Sequence, residues 1–343
     1  MKAARLFKIK EDLQVVNVPE PVPGRGEVLI NIMATGICTS DLHYRDGSSK
    51  IKALPITLGH EIAGLIQDVG DDATLFSVGE RVGVYYLITC GKCHNCKMGR
   101  ENYCQYAEML GKTIDGGFAE YLVVPERNLF RLPRNVSLAQ GALISDAIGT
   151  PFHALTRARI QMGETVMIVG IGGLGLHAVQ LARVMGATTV IAVDINDEKL
   201  STATIVGADF VVNAASESLL DNLSHITAGA GVDVVVDFTG NPTSLRQSLN
   251  ALAFGGRLVS VGICPVDFVI NPYHDLLLKE RSIISSADQL HRDFEVIVRL
   301  IESGTINLDH SVSHKVPLSE INYGMQILEE KIGNPIRVVV SQE

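Results

Sequence analysis

Gly170-Ile171-Gly172-Gly173-Leu174-Gly175 fits the pattern G-x-G-x-x-G and lies between an apolar run, Thr165 to Val169, and a stretch of helical apolar spacing, Leu174 to Met185. In that setting Gly170 permits a tight turn and Gly172 lets backbone amides approach a pyrophosphate at a helix N-terminus. Gly175 lets helix and sheet pack closely. Such a hexapeptide alone is weak evidence in a chain with 32 glycines. Asp194 adds weight because it ends the next apolar run about 20 residues on, where a carboxylate accepts ribose hydroxyls and repels a 2′-phosphate. A nicotinamide dinucleotide is the predicted cofactor, NAD rather than NADP.

Working outward, further strands are predicted at Val190 to Val193, Phe210 to Val212, Val232 to Val236, Leu258 to Val261 and Ile283-Ile284, with a helix from Asp197 to Val206. Strands alternating with helices predict an α/β fold with a doubly wound, six-stranded parallel sheet. Upstream the texture differs. Short β-type runs, Val28 to Met33, Ile62 to Val69, Arg81 to Tyr86 and Ala119 to Val124, are separated by turn signals such as Pro23-Gly24 and Asp115-Gly116-Gly117. They predict a mostly antiparallel β domain. Downstream come helices at Phe294 to Glu302 and Ser319 to Lys331, the second on a Ser cap, and a strand at Ile336 to Val340. The expected organisation is a first domain over 1–146, a cofactor domain over 147–287, and a tail, 288–343, that returns to the first domain.

At 343 residues the chain can hold two cores, and 46% hydrophobic with 20% charged residues suits a folded enzyme. A net charge of −9, with no basic run, argues against nucleic acid or an anionic membrane as the main partner. The start, Met1 to Arg5, leads into no apolar signal region, and the apolar run Val166 to Ala182 is interrupted by four glycines, His177 and Gln180. A cytoplasmic location is the default expectation.

Four of the six cysteines crowd together as Cys90-x-x-Cys93-x-x-Cys96-x7-Cys104. Four thiolates suit a closed tetrahedral zinc with no open position, hence a structural metal. The same ligands leave an iron–sulfur cluster or redox cysteines as alternatives. Lys92, Asn95 and Gly99 suit a tight knuckle, and His94 is expected to be exposed. Elsewhere Cys38, Ser40, Asp41 and His43 sit within six residues, followed by Gly59-His60-Glu61. A soft thiolate with an imidazole is zinc chemistry, although a lone Cys is more often a small buried hydrophobe.

Gly36-x-Cys38-x-Ser40-Asp41-x-His43, Gly59-His60-Glu61, the four-Cys lobe, the glycine loop and Asp194 together resemble the zinc-dependent alcohol dehydrogenases of the medium-chain dehydrogenase/reductase superfamily, over essentially the whole chain. The resemblance implies a GroES-like catalytic domain beside a Rossmann domain and two zinc ions per chain. It implies a catalytic zinc on Cys38, His60 and Asp146; the family more often has Cys at the third position, so this chain resembles the subset with a carboxylate there. Asp146 also reads as a helix N-cap, and Glu61, which in the family lies behind the metal, is the second candidate. Three ligands leave a fourth position for an alcohol, whose hydroxyl the metal acidifies.

Other roles follow from the same resemblance. Ser40 contacts substrate oxygen, His43 is the outer base and Asp41 orients His60, while Ser40 to His43 also read simply as a helix start. Thr150, Leu174 and Val261-Gly262-Ile263 fall along the nicotinamide, Lys199 at the adenosine ribose and Arg337 at the pyrophosphate. Tyr86 falls at a substrate-pocket position, implying a pocket that is apolar with one hydroxyl. Cys264 matches nothing and reads as a buried free thiol, and the remaining histidines have no ligand spacing. The implied activity is reversible hydride transfer between a primary or secondary alcohol and NAD. The alternative is a polyol or sugar dehydrogenase of the same superfamily. A non-catalytic NAD-binding scaffold is disfavoured because Cys38, His60 and Ser40 are all present. Relatives imply a homodimer or homotetramer.

Overall fold

The computed structural model describes residues 1–342. The chain divides into two compact units, one of Met1–Gly149, Gln289–Gly304 and the segment from Leu308 onward, the other of Thr150–Asp288 with Thr305–Asn307.

The second unit is built on a six-stranded, wholly parallel sheet. Across it the strands run Phe210–Asn213, Thr189–Asp194, Thr165–Val169, Val232–Asp237, Leu252–Ser260 and Ser282–Ser285. Numbered along the chain that order is 3-2-1-4-5-6, the Rossmann arrangement. Met167, Ile191, Val193, Val235 and Leu258 are buried, as the near-continuous apolar runs of a sheet covered on both faces require. Helices return between strands with side-chain caps: Asn196 accepts from the amides of Glu198 and Lys199, Ser218 from Asp221, and Asn241 from Thr243 and Ser244. One boundary departs from expectation. The fifth strand starts at Leu252 rather than Leu258, because its register with Val232–Asp237 shifts, pairing Val232 with Leu252 but Val234 with Arg257. The extra residues bulge outward at exposed Phe254 and Gly255, which hid the strand from its apolar pattern.

The first unit carries a seven-stranded sheet in the order Leu129–Arg131, Arg81–Val84, Glu61–Val69, Glu27–Ile37, Val338–Ser341 and His314–Val316, with Tyr121–Pro125 also paired to Glu27–Ile37. All pairs are antiparallel except the last, His314–Val316 with Val338–Ser341. The strand expected to stop at Met33 continues to Ile37 because two neighbours pair with its second half. Ile37, Leu58, Phe118, Ile321, Met325 and Val338 pack into its core. The final helix begins at Ile321, after a 3₁₀ turn at Leu318–Glu320, so Ser319 is not its cap. Asn322, within its first turn, exchanges hydrogen bonds with the backbone of Leu13 at 3.0 and 2.9 Å. Among the described residues no helix is long and apolar enough to cross a membrane.

Candidate functional site

Three neighbouring strands reach the same edge of the sheet in the first unit. Gly36 pairs with Glu61, and Ile37 pairs with Val338. Register therefore delivers Cys38 just past one strand, His60 just before the next, and Arg337 just before the third. Gly36 is required here, since a Cβ on it would lie 1.8 Å from a Glu61 carboxylate oxygen. Asp146 arrives separately. It follows the buried turn Leu143–Ser145, which continues the helix Leu138–Ala142 packed on this sheet.

Cys38, His60 and Asp146 are all buried, with ligand atoms within 4.8 Å of one another. Cys38 Sγ lies 3.5 Å from Asp146 Oδ2, and His60 Nε2 lies 3.7 Å from the same oxygen. Tetrahedral bonds of about 2.0 to 2.3 Å separate ligand atoms by roughly 3.3 to 3.8 Å. The spacing suits zinc. So does the charge: Asp41, Glu61 and Asp146 are buried around Cys38, with Arg337 as the cation among them. Both Glu61 oxygens and His60 Nδ1 lack a hydrogen-bond partner. The donor set therefore fits a divalent cation.

The helix Thr39–Asp46 supports the cluster from one side. Asp41 Oδ2 accepts from the Cys38 amide at 2.9 Å and Oδ1 from Gly59 at 3.2 Å, while Oδ1 stands 3.4 Å from His60 Nδ1. That carboxylate turns the imidazole so that Nε2 faces Asp146. Ser40 Oγ is 3.6 Å from Cys38 Sγ. His43, half-exposed one turn further on, has Nδ1 at 2.9 Å from Ser48 Oγ. Helix start and site are one construction here.

Burial opposes charge on His60, but the Asp41 carboxylate at 3.4 Å, with the Asp146 carboxylate at 3.7 Å and the Cys38 sulfur nearby, holds its pKa well above the ordinary 6.5. A raised pKa means the folded ring keeps a proton where free imidazole has lost it, and that proton competes with a metal for one lone pair. Zinc uptake at this site is expected to release protons. Its affinity is expected to fall as pH is lowered, starting above 6.5; calorimetry in buffers of different ionisation enthalpy measures both. A pH-independent affinity between 6 and 8 would contradict a histidine ligand in this setting. Burial also pushes the Glu61 carboxyl well above its usual range, with Arg337 opposing.

The lobe Cys90 to Cys104 is a second cluster, with Cys90 and Cys96 sulfurs 4.0 Å apart and Cys93 and Cys104 sulfurs 3.9 Å apart. Four bonds of about 2.3 Å place sulfurs about 3.8 Å apart. Backbone amides of Lys92 and Cys93 lower Cys90 to about 6, whereas burial and the neighbouring sulfurs push Cys96 up to about 12. Four crowded sulfurs share protons unless a cation balances them. The cluster fits a structural zinc, and His94 is exposed beside it.

In the second unit Gly170 has φ +89 and its amide donates to Val193 at 2.8 Å. A Cβ on Gly175 would lie 1.9 Å from the Gly170 carbonyl, while one on Gly172 would meet nothing, so the loop is an open cradle at the start of the helix Gly175–Val184. Asp194 is tied to this loop: Oδ2 accepts from Ile171 at 2.7 Å, and Oδ1 from Ile195 and Asn196 at 2.7 and 3.1 Å. A carboxylate has about four acceptor positions, leaving one for a ribose hydroxyl. These features fit NAD. Lys199 is half-buried on the next helix, Leu174 and Gly173 are half-buried in the loop, and Thr150 is buried. The amides of Val261 and Gly262 donate to Asp237 at 3.0 and 3.2 Å, and Ile263 is exposed.

Three further side chains have the following surroundings. Arg337 is fully buried in the first unit, 3.0 Å from Glu61 and donating to the Ile37 carbonyl at 3.3 Å. Tyr86 is buried with its ring edge-on to His60 and its hydroxyl donating to Gln289. Cys264 is half-buried rather than buried, its thiol reaching the Val266 carbonyl at 3.2 Å within a loop. Gln289 was invisible in the sequence; no motif or spacing marks it.

The profile described as the alcohol dehydrogenase GroES-like domain matches residues 24–134, and that described as zinc-binding dehydrogenase matches residues 173–303. The chain is 35% identical over 307 residues to an L-threonine 3-dehydrogenase of Pyrococcus horikoshii, covering 88% of this chain and 87% of that one. It is 35% identical over 341 residues to an NAD-dependent alcohol dehydrogenase of Sulfurisphaera tokodaii, covering 96% of each. Among solved structures it is similar to the alcohol dehydrogenase of Aeropyrum pernix, at TM-score 0.92 and 33% identity over 99% of this chain and 100% of the other. It is also similar to galactitol-1-phosphate dehydrogenase of Escherichia coli, at TM-score 0.91 and 27% identity with the same coverage.

Proposed function

Since this chain belongs to the zinc-dependent alcohol dehydrogenase family of the medium-chain dehydrogenase/reductase superfamily, we propose that it transfers hydride reversibly between a primary or secondary alcohol and NAD, giving an aldehyde or ketone. The observation that carries this is the buried trio of one thiol, one imidazole and one carboxylate with zinc-ligand spacing. The first unit is the catalytic domain and the second the cofactor domain. Bound to Cys38, His60 and Asp146, zinc would supply a Lewis acid for the alcohol oxygen, and NAD the hydride acceptor.

The chain's own groups handle the proton. Ser40 Oγ stands at the ligand cluster, where it accepts the alcohol's hydroxyl proton as it passes its own on toward His43. His43 lies on the same helix face three residues on, half in solvent, and carries that proton outward from its ring. Asp41 holds His60 in its ligating orientation. Tyr86 presents an apolar ring to the pocket because its hydroxyl is turned to Gln289. Asp194 selects NAD over NADP. Glu61 lies behind the ligands, and the pyrophosphate role of Arg337 requires its guanidinium to serve Glu61 as well.

The second reading, a diol, polyol or sugar dehydrogenase, is supported by the carboxylate at the third ligand and by the threonine and galactitol-phosphate enzymes among the relatives. NADH formation with ethanol, 2-butanol, 2,3-butanediol, sorbitol and L-threonine separates the two. The proposal expects kcat/KM for a simple alcohol to exceed that for the vicinal substrates by at least tenfold, about 1.4 kcal/mol of transition-state binding. The reverse order selects the second reading. No NADH with any alcohol, from protein holding two zinc ions, would leave the non-catalytic scaffold. A homodimer or homotetramer and a cytoplasmic location complete the proposal, supported by family analogy.

A further inference from the structure

Gln289 is fully buried in the first unit, on no recognisable motif. Its side chain and backbone reach three partners. Nε2 donates to the carbonyl of Ser145. Oε1 accepts from the Tyr86 hydroxyl at 3.0 Å, and the Gln289 carbonyl accepts from the Tyr85 hydroxyl at 2.9 Å. Ser145 immediately precedes Asp146, at the end of the turn Leu143–Ser145. The Tyr86 ring meets the His60 imidazole edge-on, with centroids 5.3 Å apart and planes at 78°. One amide group thus joins the backbone bearing one candidate ligand to the ring that walls in another.

We propose that Gln289 is a positioning residue for the catalytic metal centre, setting the separation between Asp146 and His60 that zinc requires. The inference rests on the zinc centre proposed above and deepens it. The chemistry of the bridge restricts what side chain serves. A carbonyl at the end of a buried turn has no intrahelical donor and needs one from elsewhere. The tyrosine hydroxyl, donating, needs an acceptor. A neutral primary amide supplies both at once; lysine and arginine only donate, and an ionised carboxylate only accepts. Asp146 leaves the helical region at φ −132 and ψ −62, so the turn's own hydrogen bonding does not set its direction. The link to Ser145 does. His60 has no hydrogen-bond partner at Nδ1, with Asp41 at 3.4 Å, so the Tyr86 ring carries part of the work of fixing its plane.

The test is metal affinity of the whole protein, loaded with Co²⁺ and followed by chelator competition and by the visible spectrum. Gln289→Met keeps the length and removes both polar atoms. The expectation is a 10- to 100-fold weaker hold on Co²⁺ at the catalytic site, the range for outer partners of metal ligands. The four-cysteine site should keep its affinity, and the ligand-field bands of the catalytic site should shift. Tyr86→Phe should give a smaller loss of the same kind, and the double variant less than the product of the two, because both cut one link. If Gln289→Met does not fold, Tyr86→Phe alone carries the test, and an unchanged affinity and spectrum in it overturn the proposal. Parent affinity and spectrum in a folded Gln289→Met overturn it too, whatever the melting temperature, because satisfying a buried carbonyl would then be its whole role. Equal losses at both metal sites overturn it as well. A parent protein that takes up one ion per chain overturns the zinc centre itself, so the two failures are told apart.

Discussion

Asp146→Ala is expected to leave the protein folded with one zinc ion per chain instead of two, and to lower kcat by about a thousandfold or more. A Lewis-acid metal stabilises the reacting oxygen by several kcal/mol, and each 1.36 kcal/mol is tenfold in rate. In the proposed zinc centre, removing this carboxylate also removes the negative charge that, with the Cys38 thiolate, would neutralise a divalent ion. Asp146→Asn keeps the volume and an oxygen but not the charge, and should fall between the two. Metal analysis with NAD-linked turnover measures both quantities. Unchanged turnover with an unchanged zinc count in Asp146→Ala would transfer the third ligand to Glu61, whose carboxylate is buried beside the cluster. The same experiment on Glu61→Gln is expected to keep two ions per chain.

Arg337→Met is expected to cost about 3 to 5 kcal/mol of stability, the consequence of leaving one buried charge without its partner. Arg337 and Glu61 are both fully buried and 3.0 Å apart, and the contact lacks hydrogen-bond alignment at either Glu61 oxygen. Burial opposes the charge of Arg337, yet Glu61, Cys38 and Asp146 hold its pKa above even the ordinary arginine value, so it stays a cation. Stranding Glu61 should therefore destabilise the metal-free protein more than any exposed substitution. The paired variant Glu61→Leu with Arg337→Met should recover most of the loss, because two apolar side chains require no partner. Denaturant unfolding of the metal-free single and double variants reads this directly. A single-variant loss below about 1 kcal/mol, the value for a surface pair, would show the contact to be incidental.

The glycine loop and the four-cysteine lobe were legible because their geometry is local. Gly170 to Gly175 shape one turn between a strand and a helix, and Cys90 to Cys104 close a knuckle within fifteen positions, so spacing alone encodes the result. The central apolar runs of the second unit, Thr165–Val169, Thr189–Asp194 and Val232–Asp237, were legible for a related reason: strands buried on both faces carry few polar interruptions. Where a bulge broke that pattern, at Phe254 to Gly256, the strand start was misplaced. Ser319 is not a cap because it lies inside a 3₁₀ turn, Leu318–Glu320, that runs straight into the helix.

What the amino-acid order determined by itself was the alternation of strands and helices, the dinucleotide cradle, the metal knuckle, and the kinds of side chain available for a zinc centre. What only the tertiary structure decided was their meeting: register brings Cys38, His60 and Arg337 to adjacent strand ends, and docking of a separate helix brings Asp146 within 4.8 Å of two of them. It also decided that Arg337 faces Glu61 and that Gln289 joins Ser145 to Tyr86. Contacts between residues hundreds of positions apart depend on pairing register and packing direction, and neither leaves a periodic trace in the residues that make the contact.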